Sequence, residues 1–331
     1  MQGRSLTIMA IAALLLGSCG VPKNRFRLNG KFKNIRSADI FIYAENSYDT
    51  LHIRDGKFRY DRDLREPEVL TVQYPDFSLR RLIAEPGTEA KFTTDASDLT
   101  KTRVTGTEEN ELLTQFYSDI NGKRSDGITD EAVAFVNQHP QTLAAQVVFE
   151  DYILKDGSAD GKSTLRLLKL MLKRQPHNAR LSRIAGRVTP LLSTLPGAKA
   201  PDFNVKSFKG ADLSLKTFAG KYLLISYWAS WQYDSFQQIR RLKGTVKPYR
   251  GRLGLINVCL DYDARSFRNT LTRDTLPEYN VCDKLVWDSP LARLYGVSRI
   301  PGNVLISPDG KIVARDIKDS DLGARLSKLM P

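Results

Sequence analysis

The chain has 331 residues, 50 of them Lys or Arg and 37 Asp or Glu, for a formal charge of +13 and a pI near 9.6. Hydrophobic residues make up 41% and charged residues 26%, a globular balance that excludes a disordered or low-complexity polymer and fits two or three domains. The three histidines, His52, His139 and His177, lie far apart without ligand spacing. That argues against a zinc site or a histidine triad, and no metal or cofactor is expected.

The N-terminal end reads as an address. Arg4 supplies a positive start, and Leu6 to Leu16 form an apolar run too short for a comfortable membrane span. The run ends in Leu16-Gly17-Ser18-Cys19, which resembles a lipobox. The resemblance implies a lipoprotein signal peptide over residues 1–18 and lipidation at Cys19. An ordinary secretory signal is the alternative. Residues 19–25 would then form a short basic tether, about 20 Å when extended, holding the next domain close to a bilayer. Beyond the leader, no stretch is long and apolar enough to cross a membrane.

From residue 26 to 107 the pattern is one of short strands. Ala38 to Tyr43 is β-rich, and Leu51 to Arg54 runs through Asp55-Gly56 into Lys57 to Tyr60, a hairpin signal. Leu70 to Tyr74, Arg80 to Ala84 and Ala90 to Thr93 supply further strands, with a turn at Glu85 to Thr88. These predict an antiparallel β-sandwich. The elements Leu28-Asn29-Gly30, Asp55 to Phe58, Ile83 to Gly87 and Val104 to Thr107 resemble a β-domain of unknown function that precedes thioredoxin-like modules in lipoproteins of Bacteroidetes.

Over 108–195 the period becomes helical. Glu111 to Ile120 is amphipathic, and Thr129 is a candidate N-cap for a second helix with Pro140 beyond its end. Ala144 to Leu154, Ser163 to Arg174 and Ala179 to Thr189 follow, the last stopped or kinked at Pro190. Lys and Arg are densest between Arg166 and Arg183 but occur throughout. They read as solvated faces, with affinity for anionic lipids or polysaccharides as the alternative. No nucleic-acid module is recognisable, and nucleic acid is not expected as a partner.

The last segment, 196–331, carries the most specific pattern. Gly197 to Phe203 leads toward Tyr222 to Tyr227, an apolar run suited to a strand covered on both faces. Trp228-Ala229-Ser230-Trp231 follows, then a four-residue tip and an amphipathic helix. Ser298 to Ile306, with Pro301 as a candidate cis-proline, precedes a hairpin at Ser307 to Val313. Together these resemble the thioredoxin-like family of the peroxiredoxin and cytochrome-maturation type. The expected fold class is therefore α+β and multidomain: an N-terminal sandwich, a helical middle and a C-terminal α/β thioredoxin-like fold.

The resemblance also implies a Cys-x-x-Cys tip, where a helix N-terminus stabilises a thiolate that attacks a disulfide. Here the tip reads Gln232-Tyr233-Asp234-Ser235. The amide of Gln232 cannot form that bond, and Ser235 lacks a base. No catalytic residue is assigned at the tip. The groove of Trp231, Tyr233, Ile300 and Pro301 is read as a platform where an extended polypeptide pairs through its backbone.

Two thiols remain after Cys19. Cys259 ends the strand Leu255 to Val258, and Cys282 follows a helix expected over Ala264 to Asp274. A structural disulfide or two buried thiols are preferred to a relocated redox pair, which lacks a helix terminus to activate it. The leading expectation is thus a membrane-anchored envelope lipoprotein with a redox-inactive thioredoxin-like domain that binds polypeptide non-covalently. The alternative is a thiol–disulfide oxidoreductase or antioxidant protein using Cys259 and Cys282. A third reading has the β-domain bind glycan or lipid. Gly20 gives no inner-membrane retention signal and no acidic run follows Cys19, so the expected location is the outer membrane, facing the periplasm.

Overall fold

A computed structural model of the chain describes residues 20–45, 47–155, 159–263, 265, 267–269 and 279–331. The signal segment and Cys19 fall outside this set, as does most of the helix expected over Ala264 to Asp274. The contacts divide the chain into two compact units, Met1–Tyr152 and Ile153–Pro331. Helices expected to form one middle segment are therefore shared between the two.

Among the described residues the first unit holds eight strands: β1 (Arg25–Lys33), β2 (Ser37–Ala44), β3 (Ser47–Arg54), β4 (Lys57–Asp63), β5 (Glu68–Gln73), β6 (Leu79–Ala84), β7 (Glu89–Asp95) and β8 (Asp98–Thr105). They form one sheet in the order β6-β5-β2-β3-β4-β1-β7-β8, not the two facing sheets of a sandwich. Nor is it wholly antiparallel, because β1 pairs with β7 in parallel. The sheet curls into a nearly barrel-like form around Phe26, Leu28, Ile40, Ile53, Leu70, Leu82 and Phe92. Asp55 and Gly56 both take positive φ, as the tight turn between β3 and β4 requires.

Helices α1 (Glu108–Ile120), α2 (Ser125–Gln138) and α3 (Leu143–Val148) follow, α3 running on into a π-helix over Phe149–Leu154. α1 explains how the sheet is finished. β6 and β8 are its edge strands, and each would otherwise present unpaired backbone groups. The Asn110 amide accepts from Ile83 N–H (2.9 Å) and donates to Ile83 C=O (2.7 Å). One turn on, the Thr114 hydroxyl accepts from Val104 N–H (3.0 Å) and donates to Val104 C=O (2.8 Å). A single helix thus stitches both edges. The N-cap expected at Thr129 is displaced. α2 already begins at Ser125, and the Thr129 hydroxyl donates to the Ser125 carbonyl one turn back.

The second unit begins with α4 (Gly161–Arg174), capped by Asp160, and α5 (Ala179–Ser193). Pro190 does not stop α5, which runs on to Ser193. The residue four back, whose carbonyl a proline ring crowds, is Gly186. Short strands β9 (Val205–Lys206) and β10 (Asp212–Leu213) pair with each other. A five-stranded sheet follows, from β11 (Tyr222–Trp228), β12 (Leu253–Cys259), β13 (Tyr279–Val281), β14 (Gly302–Ile306) and β15 (Ile312–Arg315). Its order is β13-β12-β11-β14-β15, with β12 and β13 parallel to β11 and β14 antiparallel to it.

Both faces of this sheet are covered, which is why β11 is apolar almost throughout. One face packs Ile225, Tyr227, Ile256 and Val258 against Leu291 of α7 (Pro290–Leu294) and Tyr295. The other packs Leu224, Trp228, Leu255 and Cys259 against Ile239 and Leu242 of α6 (Tyr233–Val246) and Leu322 and Leu326 of α8 (Asp319–Leu329).

Candidate active site

The loops leaving the C-terminal ends of β11, β12 and β13 gather most of the residues singled out in the sequence. Parallel strands direct their C-terminal ends to one edge of a sheet, where α/β proteins place their sites. β11 delivers Ser230 and Trp231, and the tip opens α6. Gln232 caps that helix: its side-chain carbonyl accepts from the Ser235 backbone N–H. The Ser235 hydroxyl is fully buried and committed to backbone. It donates to Ala229 C=O and Gln232 C=O and accepts from Ala229 N–H, at 2.9–3.1 Å. It is a strut holding the turn closed, without a base and without a path to a substrate. Trp231 and Tyr233 are exposed at 58% and 73%, a large apolar area beside the tip. Asp234 lies exposed in the first turn of α6.

The Ile300–Pro301 peptide bond is cis. Gly302 pairs with Tyr227, so this segment enters β14 at the sheet edge where β11 ends and the tip begins.

The two thiols lie one strand further along the same edge. Trp228 pairs with Cys259, and Val258 pairs with Val281, so the parallel register carries Cys259 beside Cys282. Both side chains join the apolar cluster under α6. Adjacent strands lie about 4.8 Å apart, within the Cα separation of about 4.4–6.8 Å that a disulfide spans. Both cysteines are free in this structure. Cys259 is buried and Cys282 half-buried.

Their protonation is unequal, and the geometry gives the reason. The two thiols share a hydrogen bond, which holds the Cys259 proton in place and raises its pKa; burial and the nearby Asp261 charge push it further up. The same bond, now accepted, lowers the pKa of Cys282, aided by the Lys284 backbone N–H and opposed by burial. Asp261 is buried. Its Oδ1 accepts from Ser230 N–H of the tip loop at 2.8 Å, while Oδ2 has no N–H or O–H partner among the described residues. Leu260 ties the same loop, donating to Trp228 C=O and accepting from the Trp231 indole. The dithiol is therefore wired to the tip through three consecutive residues of one strand exit.

The sequence set Cys259 at the end of a strand and Cys282 after a helix but did not bring them side by side. Asp261 was assigned no role from the sequence. Its signal was a lone acid two positions beyond a cysteine, on the same face in extended chain. Among the described residues no group of His, Cys, Asp and Glu could hold a metal ion.

Residues 196–315 match the AhpC/TSA family, and residues 24–113 match a domain of unknown function, DUF4369. The thiol-disulfide oxidoreductase ResA of Bacillus thuringiensis subsp. konkukian is 24% identical over 136 residues, covering 40% of this chain and 76% of the relative. A solved thiol-disulfide oxidoreductase from Bacteroides fragilis is 34% identical, covers 40% of this chain and 99% of its own, and superposes with a TM-score of 0.36. The thioredoxin domain of a Bacteroides vulgatus thiol-disulfide oxidoreductase is 23% identical, with coverage of 41% and 98% and a TM-score of 0.38. The family match and the Bacillus relative overturn the expectation of a redox-inactive, non-covalent binding module. They favour the alternative, a thiol–disulfide oxidoreductase. Gln232 and Ser235 carry no thiol, and the free cysteines of this domain are Cys259 and Cys282.

Proposed function

The chain joins an N-terminal DUF4369 domain to a C-terminal AhpC/TSA thioredoxin-like domain, and we propose that the second of these performs thiol–disulfide exchange through Cys282 and Cys259. The observation that carries this reading is the strand register that sets the two thiols side by side, one half-exposed with lowered pKa and one buried with raised pKa. An attacking thiol must be accessible and ionised, and a resolving thiol must be held back until needed.

Cys282 as thiolate attacks one sulfur of a substrate disulfide. The substrate S–S bond breaks, and the departing sulfur leaves as a thiolate that takes a proton from water. Cys259 then gives up its proton to the Asp261 carboxylate, to which it is hydrogen-bonded. Its thiolate attacks the Cys282 sulfur, breaking the mixed disulfide and releasing the second substrate thiol. The protein ends oxidised by two electrons and the substrate reduced by two; a dithiol reductant reverses the change. Gln232 to Ser235 occupies the place where thiol oxidoreductases of this family carry their cysteines. In this reading the tip supplies shape, with Trp231, Ile300 and Pro301 bordering a disulfide-bearing polypeptide. The Leu16 to Cys19 pattern supports lipid anchoring at Cys19 on a membrane facing the periplasm.

The test is differential alkylation with intact-mass readout across glutathione poises. Cys259 and Cys282 are expected to switch together between about −180 and −270 mV, the range in which thiol oxidoreductases work. A pair that stays bridged below about −300 mV is a structural disulfide, and one that stays reduced throughout is not a redox couple. Either result ends this reading.

A further inference from the structure

Positive charge is concentrated in one place. Residues 161–200 carry nine Lys or Arg and no Asp or Glu, against a net charge of +13 for all 331 residues. This stretch forms α4 and α5, so its charges are ordered by helical geometry.

On α4, Lys162, Arg166, Lys169 and Lys173 follow at intervals of four, three and four residues, and all four are exposed. At 100° per residue they fall within about 60° of arc, in a stripe about 16 Å long. The buried residues Thr164, Leu167, Leu168 and Met171 lie on the opposite side, so the stripe faces directly outward. Leu165 and Leu172 flank it on one side and Leu170 on the other, all half-buried. On α5, Arg183 and Arg187 are exposed four residues apart, with Arg180 half-buried one turn before them.

We infer that the α4–α5 hairpin is a docking surface for an anionic lipid bilayer. Two features favour a bilayer over a soluble polyanion. The stripe lies on a convex helix face, which fits a plane of phosphate headgroups. Its flanking leucines suit the boundary between headgroups and acyl chains, with the long basic side chains reaching outward. The inference is independent of the thiol chemistry.

The test uses the unlipidated full chain carrying Cys19→Ser. It is expected to bind vesicles containing phosphatidylglycerol, to release them as salt is raised, and to ignore vesicles of phosphatidylcholine alone. Each cation near an anionic surface contributes roughly fivefold in binding. Replacing Lys162, Arg166, Lys169 and Lys173 by Gln should therefore weaken binding by nearly three orders of magnitude without changing the melting curve. Replacing four exposed lysines of the first unit, Lys31, Lys33, Lys57 and Lys91, by Gln should leave it within a few-fold. Equal losses in the two variants would make the effect one of net charge alone and overturn the inference. So would binding to phosphatidylcholine as strong as to phosphatidylglycerol, or retention on soluble polyglutamate without retention on vesicles.

Discussion

Cys282 and Cys259 are chemically the same residue in different surroundings, and the difference makes their roles testable. With its pKa below the ordinary thiol value, Cys282 is ionised at a lower pH than a free cysteine. Its alkylation rate should reach half its plateau at a lower pH than that of a free cysteine. The hydrogen bond from Cys259 is the first cause of that shift, so Cys259→Ala should move the half-point upward. An unchanged half-point would mean that the pair does not share its proton. Asp261→Asn addresses the second step. Removing the acceptor should leave attack by Cys282 within a few-fold and slow resolution about tenfold or more. A mixed disulfide would then accumulate, visible by mass. Resolution at the original rate in that variant would remove Asp261 from the mechanism.

At the scale of single elements, α1 is the part whose role is least visible in its own sequence. Asn110 is almost completely buried and returns both backbone groups of Ile83. Asn110→Ala would leave a buried N–H and a buried C=O without partners, at about 1–3 kcal/mol each. A loss of roughly 2–5 kcal/mol in urea unfolding is expected; a loss below about 0.5 kcal/mol would show that the edge of β6 finds other partners. Glu109, on the same helix, accepts from the Leu143 and Ala144 N–H groups that open α3. Its pKa is raised by burial, with those two bonds working against the shift. What could be read in advance followed local rules: β11 from its apolar run, the hairpin at Asp55-Gly56, and the strand–tip–helix order from Trp228 to Ser235. What could not be read depended on partners distant in sequence. Asn110 and Thr114 look like the polar side of a helix until β6 and β8 arrive beside them. Cys259 and Cys282 become a pair only through the parallel register of β12 and β13. The eight strands read as a sandwich because alternation marks an inner face without saying how many sheets share it.

Across the whole molecule, each unit has a core of its own, one around Phe26, Leu28 and Phe92 and the other on the two faces of β11 and β12. Two thermal transitions are expected by calorimetry, and Asn110→Ala should lower one of them by several degrees. The other transition, and the redox midpoint of Cys259 and Cys282, should stay where they were. A single transition that shifts as one would show the two units to be thermodynamically fused.

The stitch made by α1 also bears on synthesis. A nascent chain released as far as β8 has all eight strands of the first unit yet still presents two raw edges, each a template for a neighbouring chain. Nine further residues must emerge before Thr114 reaches Val104. Any fragment designed to end at the last strand would carry that vulnerability permanently, and one ending a few residues past Thr114 would be the shortest piece in which both edges are sealed.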